Sequence, residues 1–284
     1  MSTQINSTND PNGSAGTAMG TQTYAPATQT PTGETAAPQK FVEIKIKRRD
    51  TPESAQYWQT FRIPYRRNLN IISCLMEIRK NPVTADGTQT TPPVWDMSCL
   101  EQVCGICTMV INGKVRQSCS ALIDQLDQPI TLEPMTKFPN VRDLQVDRTQ
   151  MFDHLKRVHA WVELDGTYDL GPGPKMDQDT VAERYAYSRC MTCGCCLEAC
   201  PQYGDDNYIG PQAIAQVRYQ NMHPTGKITR DERLSAIMEE DGIQNCGNAQ
   251  NCVRVCPMSI PLTKAIYEEN RETLVHGLFG WLKR

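Results

Sequence analysis

Thirteen cysteines lie along 284 residues, and eleven of them fall into three groups whose spacing suits metal chemistry. The first group is Cys99-x4-Cys104-x2-Cys107-x11-Cys119. A tight loop of three thiols with a distant fourth is the plant-type arrangement for a [2Fe–2S] cluster. The loop wraps three thiolates round a small cluster, Gly105 lets the backbone come close, and a hairpin through Asn112-Gly113 returns the fourth. A zinc ribbon is the alternative, but it favours paired short C-x2-4-C knuckles on both sides. A Rieske centre needs two His ligands, and His154, His159, His223 and His276 all lie outside this segment.

The second group, Cys190-x2-Cys193-x2-Cys196-x3-Cys200-Pro201, matches the bacterial ferredoxin run, whose fourth Cys serves the other cluster of a two-cluster protein. The third is Cys246-x5-Cys252-x3-Cys256-Pro257. Laid on the same register, its ligand positions are 246, 249, 252 and 256, and position 249 is Ala249. Exchanging the terminal cysteines gives two sites. Cys190, Cys193, Cys196 and Cys256 form a full set for [4Fe–4S]; Cys200, Cys246 and Cys252 form a three-thiolate set that favours [3Fe–4S]. Cys74 and Cys195 remain. Cys74 is expected to be an ordinary buried thiol on a helix. Cys195 would break the register as a ligand, so it is expected beside the cluster, where its S–H could tune the potential.

Composition limits what surrounds these groups. The cysteine content is well below the roughly 8–10% of a disulfide scaffold. The first ten residues, MSTQINSTND, lack the basic and apolar regions of a signal peptide, so a reducing compartment with thiolates committed to metal is expected. A net charge of −3 gives no general attraction to nucleic acid, and no nucleic-acid partner is expected. No run approaches the ~18 apolar residues that span a bilayer. There is no G-x-G-x-x-G and no G-x-x-x-x-G-K-[ST] phosphate loop, so no Rossmann flavin or nicotinamide site is expected on this chain and no catalytic residues are assigned.

Residues 1–40 are low in complexity: 33 of them are Ser, Thr, Asn, Gln, Gly, Pro or Ala, and a disordered tail is expected. From Phe41, Val42, Ile44 and Ile46 alternate with polar residues as in a half-buried strand. Phe61 and Ile63 suggest a second strand, ended by Pro64. Asn70 to Lys80 reads as a helix capped by Asn70, with Ile71, Ile72, Leu75 and Ile78 facing a core. Met109 and Ile111 lead into the Asn112-Gly113 hairpin, and Pro129 to Leu132 is a further strand. The basic clusters Lys45-Lys47-Arg48-Arg49 and Arg66-Arg67 are most simply solvated faces. After about residue 146 the period changes. Met151, Leu155, Val158 and Val162 mark one helix face, Gly171 to Pro174 is a loop, and helical patterns follow near 212–222, 229–240 and 260–276. The fold class is therefore α+β, with a strand-rich [2Fe–2S] domain over 41–146 and an α-helical two-cluster domain over 147–284.

A plant-type half followed by a helical two-cluster half resembles the iron–sulfur subunit of succinate dehydrogenase and fumarate reductase. The resemblance covers about 41–282. It is carried by CLEQVCGIC…C at 99–119, RDLQVDRTQMF at 142–152, RCMTCGCCLEACP at 189–201 and CGNAQNCVRVCP at 246–257. The form of the second run is most similar to menaquinone-linked bacterial members. The resemblance implies a β-grasp N-terminal domain and a helical ferredoxin domain. It implies a flavoprotein partner with covalent FAD and the dicarboxylate site, and a membrane anchor, a cytochrome b subunit, with quinone sites and often haem b. It also implies a place on the cytoplasmic face of the bacterial membrane, with electrons passing from flavin through [2Fe–2S], [4Fe–4S] and [3Fe–4S] to quinone. Ubiquinone-linked members carry a Trp shortly after the second run and a His after the first Cys of the third. Tyr203-Gly204-Asp205 and Gly247 stand there instead, so the ubiquinone-binding residues do not carry over, which agrees with a menaquinone-type enzyme or with quinone chemistry confined to the anchor subunit.

Three clusters without substrate machinery describe an electron wire. A fumarate reductase running in reverse uses the same wire, and a soluble multi-cluster ferredoxin is the rival of another class. A heterodisulfide-reductase-like module would need Cys-Cys-Gly, which is absent. The apolar stretch Leu274 to Trp281 either docks on the anchor or packs on its own domain.

Overall fold

The computed structural model describes residues 40–163, 173–204 and 207–279; the low-complexity tail before residue 40 and part of the Gly171–Pro174 loop lie outside them. The alternation after Phe41 forms strand β1 (Phe41–Arg48), with Val42, Ile44 and Ile46 fully buried. It pairs antiparallel along its whole length with β2 (Tyr57–Pro64), from Phe41 opposite Pro64 to Arg48 opposite Tyr57. Its other edge pairs in parallel with β5 (Ile130–Glu133), Ile44 opposite Ile130. The Asn112-Gly113 turn joins β3 (Thr108–Ile111) to β4 (Lys114–Gln117), with both turn residues at positive φ. Because β3 also pairs with β5, the sheet order is β2-β1-β5-β3-β4.

Helix α1 (Ile71–Lys80) begins where the Asn70 side chain accepts a hydrogen bond from the Ser73 N–H at 2.8 Å. It lays Ile71, Leu75 and Ile78 on the sheet's inner face, each such burial contributing about 1.5–3 kcal/mol. Cys74 lies in the same core, and burial pushes its thiol up to about 12.

One expectation on this half is corrected. Arg48 does not face solvent: it is fully buried, and its Nε donates to Asp143 Oδ1 at 2.7 Å. Asp143, also fully buried, accepts from the Arg49 and Val94 N–H groups at 3.1 and 2.9 Å. Arg48 further donates to Gln59 and to the Thr91 carbonyl. Strand alternation places Arg48 on the inward face, and this hydrogen-bonded pair lets it stay there. Asp143 sits in the turn of a small ribbon formed by β6 (Asn140–Arg142) and β7 (Gln145–Val146).

The second half is helical. Helix α2 (Thr149–Arg157) buries Met151, but it stops at Val158, so Val162 does not continue its face as expected. Helix α3 (Gln178–Ser188), capped by Asp177, has no clear apolar stripe and was not foreseen from periodicity. Helix α5 (Pro211–Asn221) is the centre of the half; Ala213, Ile214, Ala215 and Val217 are all buried against α8 (Leu262–Phe279) and its neighbours. The pattern expected over 229–240 is shorter, α6 (Arg230–Ala236). Arg233 on this helix is fully buried, and its guanidinium donates to the carbonyls of His159, Trp161 and Gly226, fixing the chain after α2. Single four-residue turns of helix, α4 (Cys195–Glu198) and α7 (Asn251–Arg254), complete the set. Among the described residues no helix is long and apolar enough to cross a membrane.

The two halves share a seam. Met135, Phe138, Val146, Met151, Leu197 and Tyr203 form one buried cluster drawn from both. Glu198 of α4 accepts from the Thr136 and Lys137 N–H groups at 2.8 and 3.0 Å.

Candidate metal centres

The first thiol set is built from a loop of alternating handedness. Leu100, Gln102 and Gly105 take left-handed backbone angles, which turn successive N–H groups inward as an anion-binding nest. The Cys99 sulfur therefore accepts from the N–H groups of Glu101, Val103 and Cys104 at 3.4, 3.4 and 3.3 Å. Those donors hold its thiol down at about 7. Cys107 and Cys119 share a small apolar cluster with Ile72 and Trp95, and Ser118 ties the pair together by donating through N and Oγ to the Cys107 carbonyl. The Asn70 amide that caps α1 also donates to the Cys119 carbonyl at 2.9 Å, so the helix start places the fourth thiol. Burial and the neighbouring Cys107 push the Cys119 thiol up to about 11.

The other two sets share one backbone plan. In the second run Thr192 and Gly194 are left-handed and α4 follows; in the third, Asn248 and Gln250 are left-handed and α7 follows. Ala249 thus stands where the earlier run has Cys193. Cys190, Cys193, Cys196 and Cys256 line one cavity, closed by Gln212, Ile260 and Leu262. Cys200, Cys246 and Cys252 line another together with Ala249, Tyr208 and Ile266. The structure therefore brings Cys256 to the second run's thiols and Cys200 to the third's.

The electrostatics of both cavities suit a positively charged core. Burial pushes the Cys196 thiol well up, and the nearby Cys193, Cys190 and Cys256 add to it. Burial, then Cys200 and Cys246, pushes Cys252 up to about 11. Buried thiols that raise one another cannot all ionise unaided, and coordinated iron removes that penalty. Among the described residues no three His, Cys, Asp or Glu side chains converge on a single-ion site. The second and third sets of thiols instead line two cavities, whereas four thiolates on one zinc would each lie about 2.3 Å from it. The donor set and its spacing fit iron–sulfur clusters.

Several further side chains lie close to these thiols, and Cys195, expected beside the second set, is among them. Cys195 is buried, and its S–H reaches toward Thr108 Oγ1 at 4.0 Å. The Cys195 thiol, hydrogen-bonded to Cys193, holds the Cys193 thiol down at about 7. Tyr208 is buried beside Cys246; burial and the Cys246, Cys200 and Cys252 thiols push its phenol up. Tyr203 packs its ring 5.9 Å from Phe138 in the seam. Arg148 sits between the first loop and the second run, although the sequence marks it only as part of RDLQVDRTQMF.

Comparison with known proteins agrees with this geometry. Residues 43–153 match the family described as a 2Fe-2S iron-sulfur cluster binding domain, and residues 186–260 match the 4Fe-4S dicluster domain. The succinate dehydrogenase iron-sulfur subunit of Bacillus subtilis is 58% identical over 236 residues, 83% of this chain and 93% of that protein. A fumarate reductase iron-sulfur subunit of Mycobacterium tuberculosis is 30% identical over 81% of this chain and 92% of its own length. A chain of the Mycobacterium smegmatis Sdh1 complex in the apo form shares the fold with a TM-score of 0.71 at 20% identity, covering 83% of this chain and 96% of that one. Identity of this extent, over nearly the whole of its relatives, means that the chain belongs to the family of succinate dehydrogenase and fumarate reductase iron–sulfur subunits.

Proposed function

We propose that this chain is the electron-transfer subunit of a membrane-associated succinate:quinone oxidoreductase. In this reading it takes electrons from the FAD of a flavoprotein subunit, which also holds the dicarboxylate site. It delivers them to menaquinone at an integral anchor subunit, with or without haem b, on the cytoplasmic face of the bacterial membrane. Cys99, Cys104, Cys107 and Cys119 hold [2Fe–2S]; Cys190, Cys193, Cys196 and Cys256 hold [4Fe–4S]; Cys200, Cys246 and Cys252 hold [3Fe–4S]. When bound, the clusters supply one-electron redox couples whose potentials depend on charge, hydrogen bonds and burial. The chain's own residues supply the thiolates, point N–H groups at Cys99 and exclude water from the two inner cavities.

The observation that carries the reading is the exchange of Cys256 and Cys200 between runs, with Ala249 at the fourth corner of the second cavity. The domain division at 146/147 accompanies it, and the sheet order β2-β1-β5-β3-β4 with α1 across one face supports a β-grasp first domain. The greater identity to a succinate dehydrogenase subunit than to the fumarate reductase subunits favours succinate oxidation. On α8 the side chains of Tyr267, Leu274 and Leu278 are exposed, a face for docking on the anchor. Anaerobically prepared protein tests the cluster set: about nine irons per chain and a 3Fe EPR signal on oxidation are expected. About ten irons without that signal overturn the three-thiolate site. Co-purification with a flavoprotein supports the subunit reading, and a soluble monomer that carries all its clusters overturns it in favour of a carrier. Deleting residues 274–284 is expected to release the chain from membranes; unchanged retention removes the docking face.

A further inference from the structure

The first cluster loop and the second cysteine run touch backbone to backbone. A Cβ placed on Gly105 would lie 2.7 Å from the Cys193 Cβ, 2.8 Å from its Cα and 3.0 Å from the Met191 carbonyl. Arg148, just before α2, spans this contact. Its Nη1 donates to the Gly105 carbonyl at 3.0 Å and to the Cys193 carbonyl at 3.4 Å, and its Nη2 donates to the Ile106 carbonyl at 2.6 Å. One guanidinium therefore holds the backbone between Cys104 and Cys107 and the backbone of Cys193 itself. Two neutral links fasten the same place: Thr108 Oγ1 donates to the Gly105 carbonyl, and Gln117 Nε2 donates to Met191 Sδ.

Arg148 brings a positive charge to this contact. It is half-buried, its Nε is sealed from solvent, and among the described residues no carboxylate forms an ion pair with it. Asp96 is the carboxylate whose field it feels; the other groups acting on it are the Cys193, Cys195 and Cys107 thiols. A cluster bound by four thiolates carries net negative charge and gains one unit more when it accepts one electron. A cation fixed between two such sites favours the reduced form of each, because the attraction grows with that added charge.

We infer that Arg148 is a positioning residue shared by the first and second cluster sites, fixing the approach of their binding runs and favouring reduction at both. This rests on the cluster assignment proposed above. The Cys200–Cys246–Cys252 site has no hydrogen bond from Arg148 among the described residues, and none of its thiols is among the groups whose field Arg148 feels, so it serves as an internal reference.

The test is an EPR-monitored redox titration of the assembled complex, with dithionite as electron donor, for the unsubstituted protein, Arg148→Gln and Arg148→Lys. Arg148→Gln is expected to lower the equilibrium constant for reduction of the first and second sites about tenfold, 59 mV for a one-electron couple. The third site is expected to stay within about twofold. Arg148→Lys keeps the charge and is expected to hold both sites within about threefold. Arg148→Gln with all three signals intact and neither potential moved overturns the inference, as does an equal fall at all three sites. If Arg148→Gln loses its clusters, Arg148→Lys decides: a tenfold fall at the first two sites overturns the role of charge, and values within threefold support it. Failure of the cluster assignment reads differently, as missing signals in the unsubstituted protein.

Discussion

Gly105 and Gly113 share the same backbone angle, φ +71°, in very different surroundings, and that makes a controlled experiment. An added methyl at either position meets the left-handed penalty, about 1–2 kcal/mol for a residue with a Cβ. At Gly113, in the β3–β4 turn, nothing lies within 4 Å of the new atom, so the penalty ends there. At Gly105 the new atom would sit 2.7 Å from the Cys193 Cβ and 2.8 Å from its Cα. Neither atom can swing aside, because the Cys193 and Gly105 carbonyls are both held by Arg148. Overpacking against such a wall costs about 1–3 kcal/mol more. For a unit of this size each kcal/mol moves the midpoint by about 2–4 °C, so Gly105→Ala should melt roughly 2–12 °C below Gly113→Ala. The assay is loss of cluster absorbance on heating, with both variants scanned at one rate because a cofactor-bearing protein does not unfold in two states. Midpoints that agree within about 1 °C would refute the close approach of the two runs.

Three further outcomes follow from other parts of the molecule. Asp143→Ala leaves the buried Arg48 guanidinium without its carboxylate and is expected to destabilise the chain by about 3–5 kcal/mol, whereas replacing both residues with apolar ones recovers most of that; equal losses in the two variants would count against the pair. Ala249→Cys adds a fourth thiol to the cavity of Cys200, Cys246 and Cys252, and is expected to raise iron by about one atom per chain and abolish the 3Fe EPR signal; an unchanged signal would show the register to be wrong. Burial raises the Glu269 carboxyl from 4.5 to about 7, so its contribution to stability is complete below pH 4.5 and is lost as pH rises through 7. Glu269→Gln should therefore match the unsubstituted protein near pH 4.5 and exceed it by about 3 kcal/mol at pH 8 in chemical unfolding, and parallel pH curves would contradict this.

What could be read in the sequence was what is local. The strand of Val42, Ile44 and Ile46, the Asn70 cap and the Asn112-Gly113 hairpin each depend on neighbours a few residues away, and each lies where its pattern placed it. Spacing within the runs is local too, which is why the register that puts Ala249 opposite Cys193 reappears as matching left-handed residues at 192 and 194, 248 and 250. Helix α3 escaped because its stability comes from one capping Asp and tertiary packing rather than from an apolar stripe. Arg48 was misplaced because a charge in the sequence looks the same whether it meets water or a carboxylate 95 residues away.

The junction of the two halves was the least legible part, for the same reason carried further. Gly105 could be read as letting the backbone come close, but not as facing Cys193, 88 positions on. Arg148 could be quoted as part of a motif, but not as donating to carbonyls 42 to 45 residues away in opposite directions along the chain. Ligand spacing is set by the size of a cluster and must repeat wherever the cluster occurs, so it leaves a pattern. The approach of one binding run to another is set once, by a glycine without a side chain and an arginine with five donors, and a single occurrence leaves no pattern to read. Electron transfer depends on that approach as much as on the ligands, so the residues that decide it must be sought where two cluster loops meet rather than within either one.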